Sequence, residues 1–225
     1  MLNDADIELL NEHLPFLKKL NDTDYSSVVM AGSKSAYVHG ETIQNRDKEC
    51  SGIVIVKSGQ LRAYLESEDG KEITLYRLLS WDICILTASC VLKNITFEVT
   101  LEVEKDSEVY FIPAAIWGKL AEKNSVIKEF SMELVSERFS EVMWVMEQMV
   151  SKNMGQRVAT YLLEQSTLDK SETLTVTHET IAKNLGSARE VISRILKYLE
   201  NDGLLKLSRG QIQLINLKRL QEMSY

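Results

Sequence analysis

Proline is almost missing from this chain, with two in 225 residues. One interrupts an N-terminal helix at Pro15 and the other closes a strand-rich region at Pro113, so the stretch from Val126 to Lys152 meets no helix breaker. Histidine is as scarce. His13, His39 and His178 fall in three separate segments, which leaves no metal-spaced cluster and no histidine-based catalytic pair. Cysteine is present three times, an odd number that argues against a disulfide framework. Three thiols also fall short of the four that hold most iron–sulfur clusters. No apolar run approaches the roughly 20 residues that span a bilayer, so no membrane partner is expected. Residues Met1 to Asp6 carry no basic stretch followed by an apolar one. A secretory signal is therefore not expected and a cytoplasmic location is. A glycine-rich phosphate loop and a nucleophile motif are lacking too. An enzyme is the weakest reading, and neither a catalytic residue nor a metal ligand is nominated.

What is present looks like an ordinary globular chain, 44% hydrophobic and long enough for one large or two small domains. Its net charge of −7 is unevenly spread. Residues 1–153 carry 16 Lys and Arg against 25 Asp and Glu, whereas residues 154–225 carry 10 against 8. Only the C-terminal part suits phosphates, and only mildly.

The densest signal runs from Thr177 to Gly203. Thr177 is placed to cap a short helix, whose apolar stripe is Ile181, Ala182 and Leu185. A turn at Gly186 follows. Ser187 is expected to begin a second helix, with Ser187 and Glu190 at capping-box spacing. Val191, Ile192, Ile195, Leu196 and Leu199 form its inner face, and Gly203 suits the left-handed position after its end. Arg189, Glu190, Ser193 and Arg194 occupy the outer face. Arginine can pair with guanine in the major groove, glutamate can accept from cytosine, and serine can contact either kind of group. The bland alternative is a solvated charged face on a helical hairpin.

The remaining segments fall into a clear order. Apolar residues Ile7, Leu10, Leu14, Leu17 and Leu20 mark a surface helix, and Tyr25 to Met30 a second. From Ser33 to Pro113 short alternating strands predominate. These are Gly52 to Ser58 ending at a Gly59 turn, Gln60 to Leu65, an Asp69-Gly70 hairpin, Glu72 to Leu79, Phe97 to Val103, and Glu108 to Ile112. Such a series predicts a barrel or sandwich. Ala114 to Ala121 and Val126 to Lys152 are helical. In the latter, Val135, Phe139, Val142, Met146 and Met149 recur at four, three, four and three, the spacing of a two-stranded seam. The alternative is a helix packed on its own barrel. Met154 to Leu168 begins another helix. Beyond the helix-turn-helix, Leu204 to Leu207 and Gln211 to Ile215 predict a wing with Arg209 at its tip, where a cation would meet the DNA backbone. Leu174 to Val176 is a candidate third strand.

This order, with the segments Ile55-Val56-Lys57-Ser58-Gly59, Asp69-Gly70-Lys71-Glu72-Ile73 and Gly186 through Leu196, resembles the Crp/Fnr family of bacterial transcription regulators along nearly the whole chain. The resemblance implies an α+β fold in three parts. Residues 1–122 would form an N-terminal double-wound β-barrel of the cyclic-nucleotide-binding kind, residues 123–153 a dimerisation helix, and residues 154–225 a C-terminal winged helix-turn-helix. It implies an effector-controlled homodimer on a palindromic operator, with duplex DNA and RNA polymerase as partners. Arg189, Glu190 and Arg194 match the family's base readers, and Ser193 a position that some members use. Thr177 and His178 match phosphate contacts, although His178 stands where the cyclic-AMP member has arginine. Ser187 joins the expected DNA-facing set.

The effector region departs from the cyclic-AMP pattern. That pattern has a Gly-Glu pair for the ribose and an Arg-Ser pair for the phosphate. Here Leu86 replaces the glutamate, and no arginine occurs from Val91 to Val99. A buried phosphate needs such partners, so cyclic AMP is not expected. Trp81, Cys84, Leu86, Thr87, Ser89 and Cys90 are the candidate lining of a pocket for a different small molecule. Cys84 and Cys90 also suggest a thiol sensor, against the plainer reading of buried core thiols. Haem ligation by His39 finds no support, because a histidine beside Gly40 reads as a turn residue. A ligand-binding module without DNA would explain the barrel but not residues 177–215.

Overall fold

The computed structural model describes residues 2–44, 52–86 and 99–225. Two compact units emerge, one of residues 1–65 with 75–142 and the other of residues 66–74 with 143–225. The division falls inside one long helix, and a hairpin tip groups with the C-terminal part.

In the first unit, helix α1 (Asp4–His13) is opened by a capping box in which the Asn3 side chain and Asp6 satisfy each other's backbone amides. Pro15 then starts a 3-10 turn, Pro15–Lys19, as its missing amide requires. Helix α2 (Asp22–Ala31) follows. The strands are β1 (Ser33–Tyr37), β2 (Thr42–Gln44), β3 (Gly52–Glu66), β4 (Glu72–Leu78), β5 (Ile83–Cys84) and β6 (Thr100–Pro113). They make one sheet in the order β1-β6-β3-β4, with β2 on β6 and β5 on β3.

Two sequence expectations change here. Gly59 does not end a strand, because it lies inside β3, which is 15 residues long. Gly59 has φ +98, and a Cβ there would lie 2.2 Å from Ser107 Oγ. The register against β6 shifts on both sides of it. Gly59 is therefore a bulge that bends a long strand, which period-two reading mistakes for a turn. Likewise the two expected strands before Pro113 are one, β6, continuous from Thr100; the start at Phe97 lies outside the described residues.

Alternation along β3 divides the core. Ile53 and Ile55 join Leu10, Phe16, Leu17, Tyr110 and Trp117 under the helices, while Val54 and Val56 join Leu61, Leu78, Leu101 and Val103 on the opposite face. Trp117, on helix α3 (Ala114–Lys123), donates its indole N–H to Ser131 Oγ at 2.9 Å and is fully buried. Asp6 is a buried carboxylate of this unit. Burial alone would raise its pKa, but the Tyr110 hydroxyl, the Asn3 amide and Lys34 outweigh it and hold the carboxyl below its ordinary value. Burial, with that carboxylate alongside, pushes Tyr110 up to about 12, so its hydroxyl stays a donor to Asp6 at 3.0 Å.

Helix α4 (Ser125–Ser151) has no Gly or Pro along its 27 residues. The second unit contains α5 (Met154–Asp169), β7 (Thr173–Leu174), α6 (His178–Asn184), α7 (Arg189–Asn201), β8 (Leu205–Ser208), β9 (Gln211–Leu214) and α8 (Leu217–Ser224). Its three-stranded sheet has the order β7-β9-β8. Its own core joins Leu162 of α5, Ile181 of α6, Ile192, Leu196 and Leu199 of α7, and Leu220 of α8. Helix α8 has no counterpart in the sequence reading; Leu217 and Leu220 give it too short a stripe to stand out.

Candidate nucleic-acid interface

The second unit builds its outer face from the turn between α6 and α7. Thr177 caps α6 by accepting the Thr180 amide at 3.0 Å. Gly186 carries φ +64 in the turn, a conformation that side chains resist. Arg157 of α5 donates to the Leu185 carbonyl at 2.7 Å and holds the turn from behind. Within the same unit, Thr74 Oγ1 donates to Asn184 Oδ1 at 2.6 Å, and Ile73 bridges Leu185.

Helix α7 begins one residue later than its spacing suggests. Ala188, not Ser187, is the N-cap, and no side chain caps it. Ser187 lies in the turn with its amide bonded to the Ala182 carbonyl, so the expected capping box does not form. Ile192, Leu196 and Leu199 face the core, whereas Arg189, Glu190 and Arg194 are exposed. These three project from the first two turns of α7 and are free to meet base edges.

Ser193 behaves differently. It is half-buried, and its Oγ lies 2.8 Å from Nδ1 of His178 at the start of α6. Two residues expected to reach outward thus bond to each other across the two helices. Their separation of 15 positions hides this pairing from any local pattern.

The wing forms as expected, with β8 and β9 paired from Leu205–Leu214 to Ser208–Gln211. Arg209 is exposed at its tip. Glu200 ties the wing to the end of α7. Its carboxylate accepts the Leu207 amide at 2.8 Å and Lys197 Nζ at 2.6 Å. The Lys197 bond, then the Leu207 amide, hold that carboxyl below its ordinary pKa. Between wing and helices lies a groove of about 420 Å³, lined by Thr177, His178, Arg189, Ser208, Gly210 and Gln211, with Glu179 also on its wall.

The seam residues of α4 divide. Phe139, Met146 and Met149 are 64%, 51% and 52% exposed, and Met132 and Met143 join them. Val142 instead packs on the Val54–Leu101 cluster, and Val135 on the Phe16–Trp117 cluster. The alternative of a helix packed on its own sheet thus holds for Val135 and Val142, whereas Phe139, Met146 and Met149 are left exposed. Val135 and Val142 turn toward their own sheet, and the exposed stripe is rotated to Met132, Phe139, Met143, Met146 and Met149.

The candidate effector residues are also dispersed. Cys84 and Leu86 are buried in the Val54–Leu101 cluster. Trp81 takes φ +73, unusual for a bulky residue, and stacks on His13 with ring centroids 3.6 Å apart. It packs against the helix-covered cluster instead. Thr87, Ser89 and Cys90 lie outside the described residues. The sequence reading missed Tyr76 and Arg138. The Tyr76 hydroxyl is 3.6 Å from Cys84 Sγ. The Arg138 guanidinium sits 4.9 Å from the Tyr76 ring and bonds Glu141 at 2.6 Å. Its Nε is buried and has no hydrogen-bond partner among the described residues. Leu86 packs among Val54, Leu61 and Leu101, all apolar.

A sheet domain followed by a winged helix-turn-helix defines a DNA-binding regulator. A family model for the cyclic nucleotide-binding domain matches residues 34–124, and one for the Crp-like helix-turn-helix domain matches residues 156–223. A Crp/Fnr-family regulator from Eubacterium rectale, known as a crystal structure, is 42% identical over 95% of this chain and 99% of its own, with a TM-score of 0.92. The chain belongs to the Crp/Fnr family of transcription regulators, which bind DNA and are not enzymes. The transcriptional regulatory protein btr of Bordetella pertussis is 25% identical over 82% of this chain and 78% of that protein. The c-di-GMP responsive regulator CLP of Xanthomonas campestris shares the fold at 17% identity and a TM-score of 0.73, covering 86% of this chain and 99% of its own. Among the described residues no helix is long and apolar enough to cross a membrane.

Proposed function

We propose that the chain is a cytoplasmic homodimer that binds a two-fold symmetric operator and regulates RNA polymerase under the control of a small effector other than cyclic AMP. The observation that carries the DNA reading is the exposure of Arg189, Glu190 and Arg194 together on the first two turns of a helix whose inner face, Ile192, Leu196 and Leu199, is buried. Arg189 and Arg194 would pair with guanine edges and Glu190 with a cytosine amine. Thr177, Ser187 and Arg209 would contact phosphates on either side and set the register. The apolar stripe on α4 supports pairing with a second copy, because Phe139 and the methionines are left uncovered. Pairing there would present two reading helices to half-sites about 34 Å apart.

The effector reading is supported by the Arg138 Nε, a buried donor beside Tyr76 and Cys84 that a ligand oxygen would satisfy. Binding there would bias α4, which the two units share. Protein that binds its operator equally with and without every candidate ligand would contradict gating. For the DNA reading, the test is enrichment of duplexes from a randomised pool by the full-length chain. A consensus with two related half-sites, and affinity falling steeply with salt, is expected. Recovery of an unenriched pool would refute it.

A further inference from the structure

The first two turns of α7 hold one polar group that the protein uses itself. Ser193 Oγ lies 2.8 Å from His178 Nδ1. Its neighbours Arg189, Glu190 and Arg194 are exposed, whereas Ser193 is half-buried. A serine side chain has a single carbon beyond the backbone, so a hydroxyl turned toward α6 does not extend outward from α7. The partner is well anchored. His178 is the first residue of α6, directly after the Thr177 cap, whose oxygen accepts the Thr180 amide.

We propose that Ser193 is a positioning residue and not a base reader, and that the His178–Ser193 bond sets the roll of the reading helix. This rests on the operator-binding reading above and narrows its base-reading set to Arg189, Glu190 and Arg194. The physical need is plain. Helices α6 and α7 meet through Ile181, Ala182, Ile192 and Leu196, all buried and apolar. Such contacts are non-directional and tolerate small rotations. Long side chains reading base edges do not, since a bidentate pair demands fixed geometry. A directional bond at the DNA-facing end of both helices removes that freedom. Neutral imidazole suits the task, with one nitrogen accepting while the other donates.

The test uses the full-length chain, a randomised duplex pool and four variants: Ser193→Ala, His178→Asn, His178→Gln and the double variant Ser193→Ala/His178→Gln. Asparagine places a polar atom close to the Nδ1 position, whereas glutamine places its own near Nε2. The wild type, Ser193→Ala and both histidine variants are expected to enrich the same consensus at every base pair. Affinity for that consensus should fall about two- to tenfold in Ser193→Ala and His178→Gln, the scale of one hydrogen bond. The double variant should be no weaker than either single one, and His178→Asn should bind close to wild type. Melting curves run beside the titrations show that each variant is folded, and a uniform loss across sequences marks a positioning role. Relaxed preference at a single base pair in Ser193→Ala alone would overturn the inference, as would losses that simply multiply in the double variant. A wild-type chain that enriches no duplex would overturn the operator reading itself, and this inference with it.

Discussion

At the scale of single residues, the exposed face of α7 was largely legible in the sequence. Arg189, Glu190 and Arg194 follow an apolar stripe at helical spacing and cannot all join a core, so their exposure follows from periodicity. Arg194→Ala is expected to weaken operator binding by about 1–3 kcal/mol and to relax one guanine position; titration against single-base operator variants checks both effects. Contacts between distant segments were not legible. The His178–Ser193 bond, the His13–Trp81 stack and the Asp6–Tyr110 bond join residues whose proximity depends on the finished fold. The Asp6 carboxyl has a measurable consequence. Its folded pKa is below its unfolded one, so the folded state binds fewer protons in that range. The stabilisation is present above the unfolded value near 4 and is lost as pH falls through the folded value. Asp6→Asn should flatten the acid limb of a plot of stability against pH, measured by urea unfolding from pH 2 to 7. An unchanged limb would mean that other carboxylates dominate.

At the scale of elements, periodicity located most helices and the longer strands, passed over β1, β2, β5 and α8, and misjudged continuity. Gly59 reads as a turn because glycine most often punctuates strands, yet opposite Ser107 it serves as a bulge. Helix α4 shows a different limit. Two apolar stripes overlap on it, and a heptad count merges them. Val142 covers its own sheet, whereas Phe139 and Met146 lie open. These roles separate by mutation. Phe139→Glu and Met146→Glu should leave the melting temperature of the fold near wild type and convert a dimer to a monomer in sedimentation. Val142→Ala should instead cost about 1 kcal/mol of stability and leave the dimer in place. The reverse assignment would show that the seam follows the original heptad.

At the scale of the whole molecule, the domain order was legible from texture alone, since strands give way to one long helix and then to a helix-turn-helix with a two-stranded wing. The placement of one hairpin tip was not. The hairpin tip at residues 66–74 groups with residues 143–225 through Thr74 and Asn184, a contact that no local spacing announces. The second unit has its own core, in which Leu162 is fully buried among Ile181, Leu196 and Leu220. Leu162→Ala should cost about 2–5 kcal/mol and weaken DNA binding by depopulating the folded unit. Calorimetry and a binding titration on the same sample would show both.

The central claim is that the exposed end of α7 reads sequence in duplex DNA. The most direct test is pool enrichment with the wild-type chain, run beside a variant in which Arg189, Glu190 and Arg194 are all alanine. The account predicts a two-fold related consensus for the wild type and none for the variant, although both fold and both elute as dimers. The same consensus from both proteins would place base recognition elsewhere and contradict the account.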